Sequence, residues 1–122
     1  MTFESLASDA CARFPEVKRE AEAQRKAGNV YEDIGQHIFF SFVFDKVLFW
    51  AIDTNNDQLS KRMFGFVEEM EKNSDSHIQE VAEFTVIEEL CDNYRNAQFE
   101  KYLGPETKLA LKAIRRYMPE QA

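Results

Sequence analysis

Residues Ile38–Ile52 read IFFSFVFDKVLFWAI, and the reading of this run decides the fold. Only Ser41, Asp45 and Lys46 interrupt it. Taken alone, FFSFVF has the composition of a strand, with Phe40, Phe42 and Phe44 alternating. The apolar stretch is too long for a typical strand, however, and helical signals flank it on both sides, so we read it as helix. Fifteen residues of helix span about 22 Å, short of the ~30 Å hydrocarbon layer, and Asp45 and Lys46 add two central charges. The run is therefore expected to be a central helix covered by its neighbours, with no role for a membrane.

Working outward, the rest of the chain reads as helices with polar punctuation. Thr2 to Arg13 places Phe3, Leu6, Ala7, Ala10 and Phe14 near one face, with Thr2 as the expected N-cap. Pro15 opens a second helix, PEVKREAEAQRKA, which Gly28 and Asn29 end. It carries little apolar surface and is expected to lie outermost. The third helix begins near Asn29 or Val30 and contains the Phe-rich run. Asp53 to Asp57 is a loop whose Asn or Asp caps the next helix.

The fourth helix, Asp57 to Lys72, sets Leu59, Met63, Phe66, Val67 and Met70 on one face, with Phe64 off it between Glu68 and Glu71. Ser76-x-x-Gln79 reads as a capping box for a fifth helix, His77 to Tyr94. Pro105 starts the last, which is expected to bury Leu111, Ile114 and Met118 and to show Lys108, Lys112, Arg115 and Arg116. The expected fold is all-α: one domain over residues 1–122, a bundle of five to six helices compatible with stacked helical hairpins.

A hydrophobic content of 44% argues for a real core, and eleven phenylalanines argue for an aromatic one. The net charge of −7 disfavours nucleic acid and anionic membranes as partners and favours a basic protein. Two cysteines, Cys11 and Cys91, cannot make a disulfide framework and are expected to be small buried hydrophobes. The N-terminus, MTFESLASDACARF, lacks a basic start followed by an apolar core. These features point to the cytoplasm.

Between Gly65 and Asp92 nine carboxylates face a single base, Lys72. At 100° per residue, Glu88, Glu89 and Asp92 share one sector of the fifth helix. Lysines and arginines cluster elsewhere, at 13–26, 61–62 and 108–116, which polarises the surface. Such a surface steers a partner of opposite charge. Candidate contact residues are Glu68, Glu69, Glu71, Asp75, Glu88, Glu89 and Asp92, with Phe64 as an apolar anchor.

Reactive chemistry finds no foothold. Asp53-x-Asn55-x-Asp57 matches the start of a calcium loop, but Gln58 replaces the turn glycine and Phe64 the bidentate glutamate. His37 and His77 pair with neither cysteine as a nucleophile would require. Glu68-Glu69 and Glu88-Glu89 lack the Glu-x-x-His partner of a carboxylate-bridged metal bundle. No catalytic residue, metal or cofactor is expected.

FGFVEEM, VAEFTVIEEL and KYLGPETK together resemble a family of small bacterial all-helical proteins, some related to immunity proteins of toxin–immunity systems. The resemblance runs from Ile38 to Ile114, about two thirds of the chain, and rests on Phe66–Met70, Val86–Leu90 and the Tyr102–Pro105 turn. It implies a cytoplasmic protein that binds and blocks a cognate toxin domain, such as the C-terminal domain of a contact-dependent growth inhibition effector. The alternative is a helical adaptor or scaffold without a toxin.

Overall fold

The Phe-rich run is helical from end to end. The computed structural model describes residues 1–29, 35–94 and 98–117, and among them are six helices and no strand. These are α1 (Leu6–Arg13), α2 (Pro15–Lys26), α3 (residues 36–53), α4 (Asp57–Lys72), α5 (residues 76–93) and α6 (Pro105–Tyr117), with a 3₁₀ turn at Glu100–Tyr102 before α6. Of the expected start of the third helix near Asn29 or Val30, Asn29 is not helical and Val30 lies outside the described residues, as does Met118; the described part of the helix begins at Gln36 after Gly35.

Both α3 and α5 change pitch. Each opens as α-helix, widens to π-helix (Phe40–Phe44 in α3, Val81–Ile87 in α5) and returns to α. The cause is in the spacing of buried residues. In α3 they come as Phe39-Phe40, Val43-Phe44, Val47-Leu48 and Ala51-Ile52, a pair every four residues. In α5, Ile78, Ala82, Val86 and Leu90 repeat the same interval. An α-helix has 3.6 residues per turn, so such a stripe drifts by about 40° at each repeat. The wider i→i+5 turn takes up that drift and keeps the stripe on the core.

The core is aromatic, as expected. Phe14, Phe40, Phe44 and Phe66, all fully buried, form one ring cluster with centroids 4.8–6.4 Å apart. A second cluster stacks Phe64 on Phe99 and on Tyr102, with Tyr94 edge-on to Phe99 and Phe49. The predicted face of α4 is buried in full, and Phe64, expected off that face, is buried as well. α2 buries Val17 alone and lies outermost.

Two caps differ from the sequence-based expectation. Asp75, not Ser76, caps α5: its Oδ1 accepts from the His77 N–H at 2.9 Å, while Gln79 reaches back to the Asn73 carbonyl. α1 starts at Leu6, because Thr2 and Ser5 exchange hydrogen bonds in a turn that precedes it. The Asp53–Asp57 loop behaves as expected, with Asn56 accepting from the Leu59 N–H.

Short connections make α4 antiparallel to α3 and to α5, so α3 and α5 run parallel. His37 at the start of α3 meets Thr85 midway along α5 (2.6 Å), and Tyr94, just past the end of α5, donates to Asp53 at the end of α3 (2.8 Å). None of the helices in the described residues is long and apolar enough to cross a membrane.

Candidate functional site: an acidic ridge on the fifth helix

The fold distributes the eight predicted contact residues instead of gathering them on one face. Phe64 is 0% exposed, sandwiched by Phe99 and Tyr102, so it anchors the core and offers nothing to a partner. Glu68 is buried and holds α6: its carboxylate accepts from the N–H groups of Glu106 and Thr107 and from the Thr107 hydroxyl, each at 2.9 Å. Glu69 is exposed but paired with Arg13 of α1. Asp75 is spent as the α5 cap. Glu89 is half-buried toward α3, where its charge bears on Asp45. Asp92 is exposed near Cys91, whose thiol also feels Arg115 and Glu100.

What the structure does bring together lies along the outer side of α5. Phe84 is 56% exposed, far more than a large aromatic needs to be in a packed bundle. Glu80 and Glu88 stand one turn before and after it. The flanking residues fix its direction: Thr85 turns toward α3 to meet His37, and Glu83 turns toward α4 to meet Glu71. Phe84 therefore points outward between them. Around it the field is negative. Glu71 is influenced by Glu83, Glu68 and Glu106, and Glu83 by Glu80. Nearby, Lys72 stands 3.9 Å from Glu68, and the His77 ring lies 3.9 Å from Glu80.

This crowding shows in the carboxyls. Burial, then Glu83, Glu68 and Glu106, push Glu71 up to about 8. Burial also raises Glu83, although its hydrogen bond to Glu71 pulls the other way and Glu80 adds to the rise. Raised to about 8, Glu71 keeps its proton at neutral pH beside a Glu83 that is itself raised.

The sequence reading missed Phe84, Glu80 and Glu83, although Glu80, Phe84 and Glu88 at intervals of four were visible. It also missed two other features. Asp45 is 2% exposed with neither carboxyl oxygen hydrogen-bonded. Trp50, 52% exposed, lines a cleft of about 360 Å³ between α2 and α3, with Glu16, Arg19, Glu20, Lys46 and Val47. Cys11 and Cys91 are free and only half-buried, where full burial was expected. Desolvation raises both thiols, away from nucleophilic use. Among the described residues no cluster of three or more His, Cys, Asp or Glu is arranged to hold a metal.

Compared with known proteins, the chain matches no curated protein and no solved structure. One family model, described as a domain of unknown function (DUF7674), matches residues 8–120. That match spans α2 through α6 and most of α1, hence both π-turned helices and the whole acidic ridge, and the chain belongs to the DUF7674 family.

Proposed function

We propose that this protein works by binding, without catalysis, and that its partner is a basic protein surface seated on the α5 ridge. The observation that carries this reading is Phe84: an exposed aromatic set among Glu80, Glu83 and Glu88. An aromatic anchor supplies apolar contact at the centre of an interface, and the surrounding acids supply steering and register. The partner class we favour is a cytoplasmic toxin domain whose cleft is basic, occluded in the manner of an immunity protein. An acidic cap there competes with the phosphate backbone that a nuclease cleft recognises.

Co-expression with the product of the adjacent gene tests this. The expected result is a salt-sensitive complex and rescue of growth, with Phe84→Ala weakening the complex about tenfold, as loss of an interface hot spot does. Absence of a complex, or one indifferent to Phe84→Ala, would remove the reading. A second reading, a helical adaptor, is favoured by the exposed Trp50 beside the α2–α3 cleft, which lies apart from the acidic ridge.

A further inference from the structure

α6 packs against α4 and against the π-turn of α5, with Thr107, Ala110 and Leu111 buried. Its other side faces solvent: Lys108, Leu109, Lys112 and Arg116 are all exposed. The helix holds four cations against one acid, Glu106, in a chain of net charge −7. Arg115 pairs with Glu100 at 2.8 Å, whereas Lys108, Lys112 and Arg116 make no ion pair among the described residues.

Leu109, 62% exposed, and Phe84 are the two most exposed large apolar side chains among the described residues. They stand on neighbouring helices whose outer faces carry opposite charge. On α5, Glu80 and Glu88 bracket Phe84 one turn either way, with the His77 ring 3.9 Å from Glu80. On α6, Lys112 and Arg116 follow Leu109 at successive turns. An acidic strip with an apolar centre beside a basic strip with its own apolar residue is self-complementary. A two-fold rotation sets α5 of one copy on α6 of the other and forms the reciprocal contact at the same time.

We propose that the chain forms a weak two-fold dimer, in which Glu80, Phe84 and Glu88 of each copy lie on Leu109, Lys112 and Arg116 of the other. This goes beyond the basic-partner reading and needs only a second copy. Exposed ion pairs contribute little, and one apolar side chain per strip is a small centre, so the dissociation constant is on the order of 100 μM. In dilute solution the ridge is therefore open to a partner. Two copies of charge −7 repel at a distance, but salt at about 0.15 M screens that field beyond about 8 Å, and the contacting strips decide.

Sedimentation of the full chain at about 0.15 M salt, from about 10 μM to about 1 mM, tests the dimer. The expected result is a shift from the 14.3 kDa monomer to twice that mass as concentration rises. Lys112→Glu with Arg116→Glu should weaken the dimer at least about tenfold, and so should Glu80→Lys with Glu88→Lys, because each sets like charges together. Mixed in equal amounts, the two double variants should pair again, since one now offers two acidic strips and the other two basic ones. A wild-type chain that stays monomeric up to about 1 mM would overturn the dimer. So would helical variants, shown folded by circular dichroism, that dimerise as the wild type does or fail to pair on mixing. None of these results touches the basic-partner reading, which the complex with the adjacent gene product tests.

Discussion

Glu68→Ala is expected to lower stability by about 3 kcal/mol, a large change for one side chain. Glu68 is a side chain of α4 that caps α6. Its carboxylate takes the N–H groups of Glu106 and Thr107, which the first turn of α6 cannot satisfy itself, and the Thr107 hydroxyl. Charge-assisted bonds of this kind are the stronger ones, and alanine takes the acceptor from the Glu106 and buried Thr107 N–H groups, while the Thr107 hydroxyl keeps the Gly104 carbonyl at 3.0 Å. Gly104 belongs to the same device. A Cβ there would come within 2.6 Å of the Glu68 carboxyl carbon and Oε1, and Glu68 is pinned by its hydrogen bonds. Gly104→Ala should therefore destabilise by expelling the cap. The Glu68→Ala, Gly104→Ala double variant should lose far less than the sum of the two.

The same group fixes a pH signature. Burial alone would raise the Glu68 carboxyl, but the donors of Thr107 and Glu106, with Lys72, hold it below its usual range. Its contribution is then fully present above the ordinary glutamate value of 4.5 and is lost as pH falls through the depressed folded value. Urea melts near pH 3 and near pH 6 would show this loss in the wild type and not in Glu68→Ala.

Asp45→Asn is expected to act in the other direction, stabilising by on the order of 2 kcal/mol at neutral to alkaline pH. Asp45 sits where the π-turn of α3 returns to α-helix, walled against α5, with no donor for either oxygen. Burial first, then Glu89, raise its carboxyl well above the ordinary aspartate range. Lys46, the next residue, is turned to Glu20 of α2 at 3.0 Å and does not help. A group that holds its proton more tightly when folded makes stability fall as pH rises from its unfolded value through its folded one. Asparagine keeps the shape and removes the charge, so this part of the slope should vanish. The part belonging to the Glu71–Glu83 pair, removed by Glu71→Gln, should remain. Asp45→Asn that destabilises, or that leaves the slope whole, would contradict this assignment.

The fold was legible wherever local chemistry and burial agreed. The face of α4, the proline starts of α2 and α6 and the Asp53–Asp57 cap all follow from short-range rules, and each stands where those rules put it. The Phe-rich run was legible as helix through its length. Of its strand-like alternation, Phe40 and Phe44 belong to a four-residue buried repeat that a π-turn accommodates, while Phe42 is exposed.

The acidic surface was legible in composition and not in geometry. A helical wheel shows which side of one helix an acid occupies, but not which helix covers it. Glu68 looked like a surface acid because its partners, at Glu106 and Thr107, are far along the chain. Phe64 stood off the face of α4 in the wheel, yet the segment at Phe99–Tyr102 folds back to cover it. Nothing in VAEFTVIEEL sets Phe84 apart from its apolar neighbours, and only the placement of α3 and α4 on either side of α5 leaves it outside.

The most direct test is the hydrogen-exchange footprint of the chain in complex with the product of its adjacent gene. Docking on the ridge predicts new protection on α5 across Glu80–Asp92 and on the end of α4 that carries Glu71, with α2 and the Trp50 side of α3 unchanged. Protection confined to α2 and α3 around Glu16, Lys46 and Trp50, with the α5 ridge still exchanging freely, would contradict it.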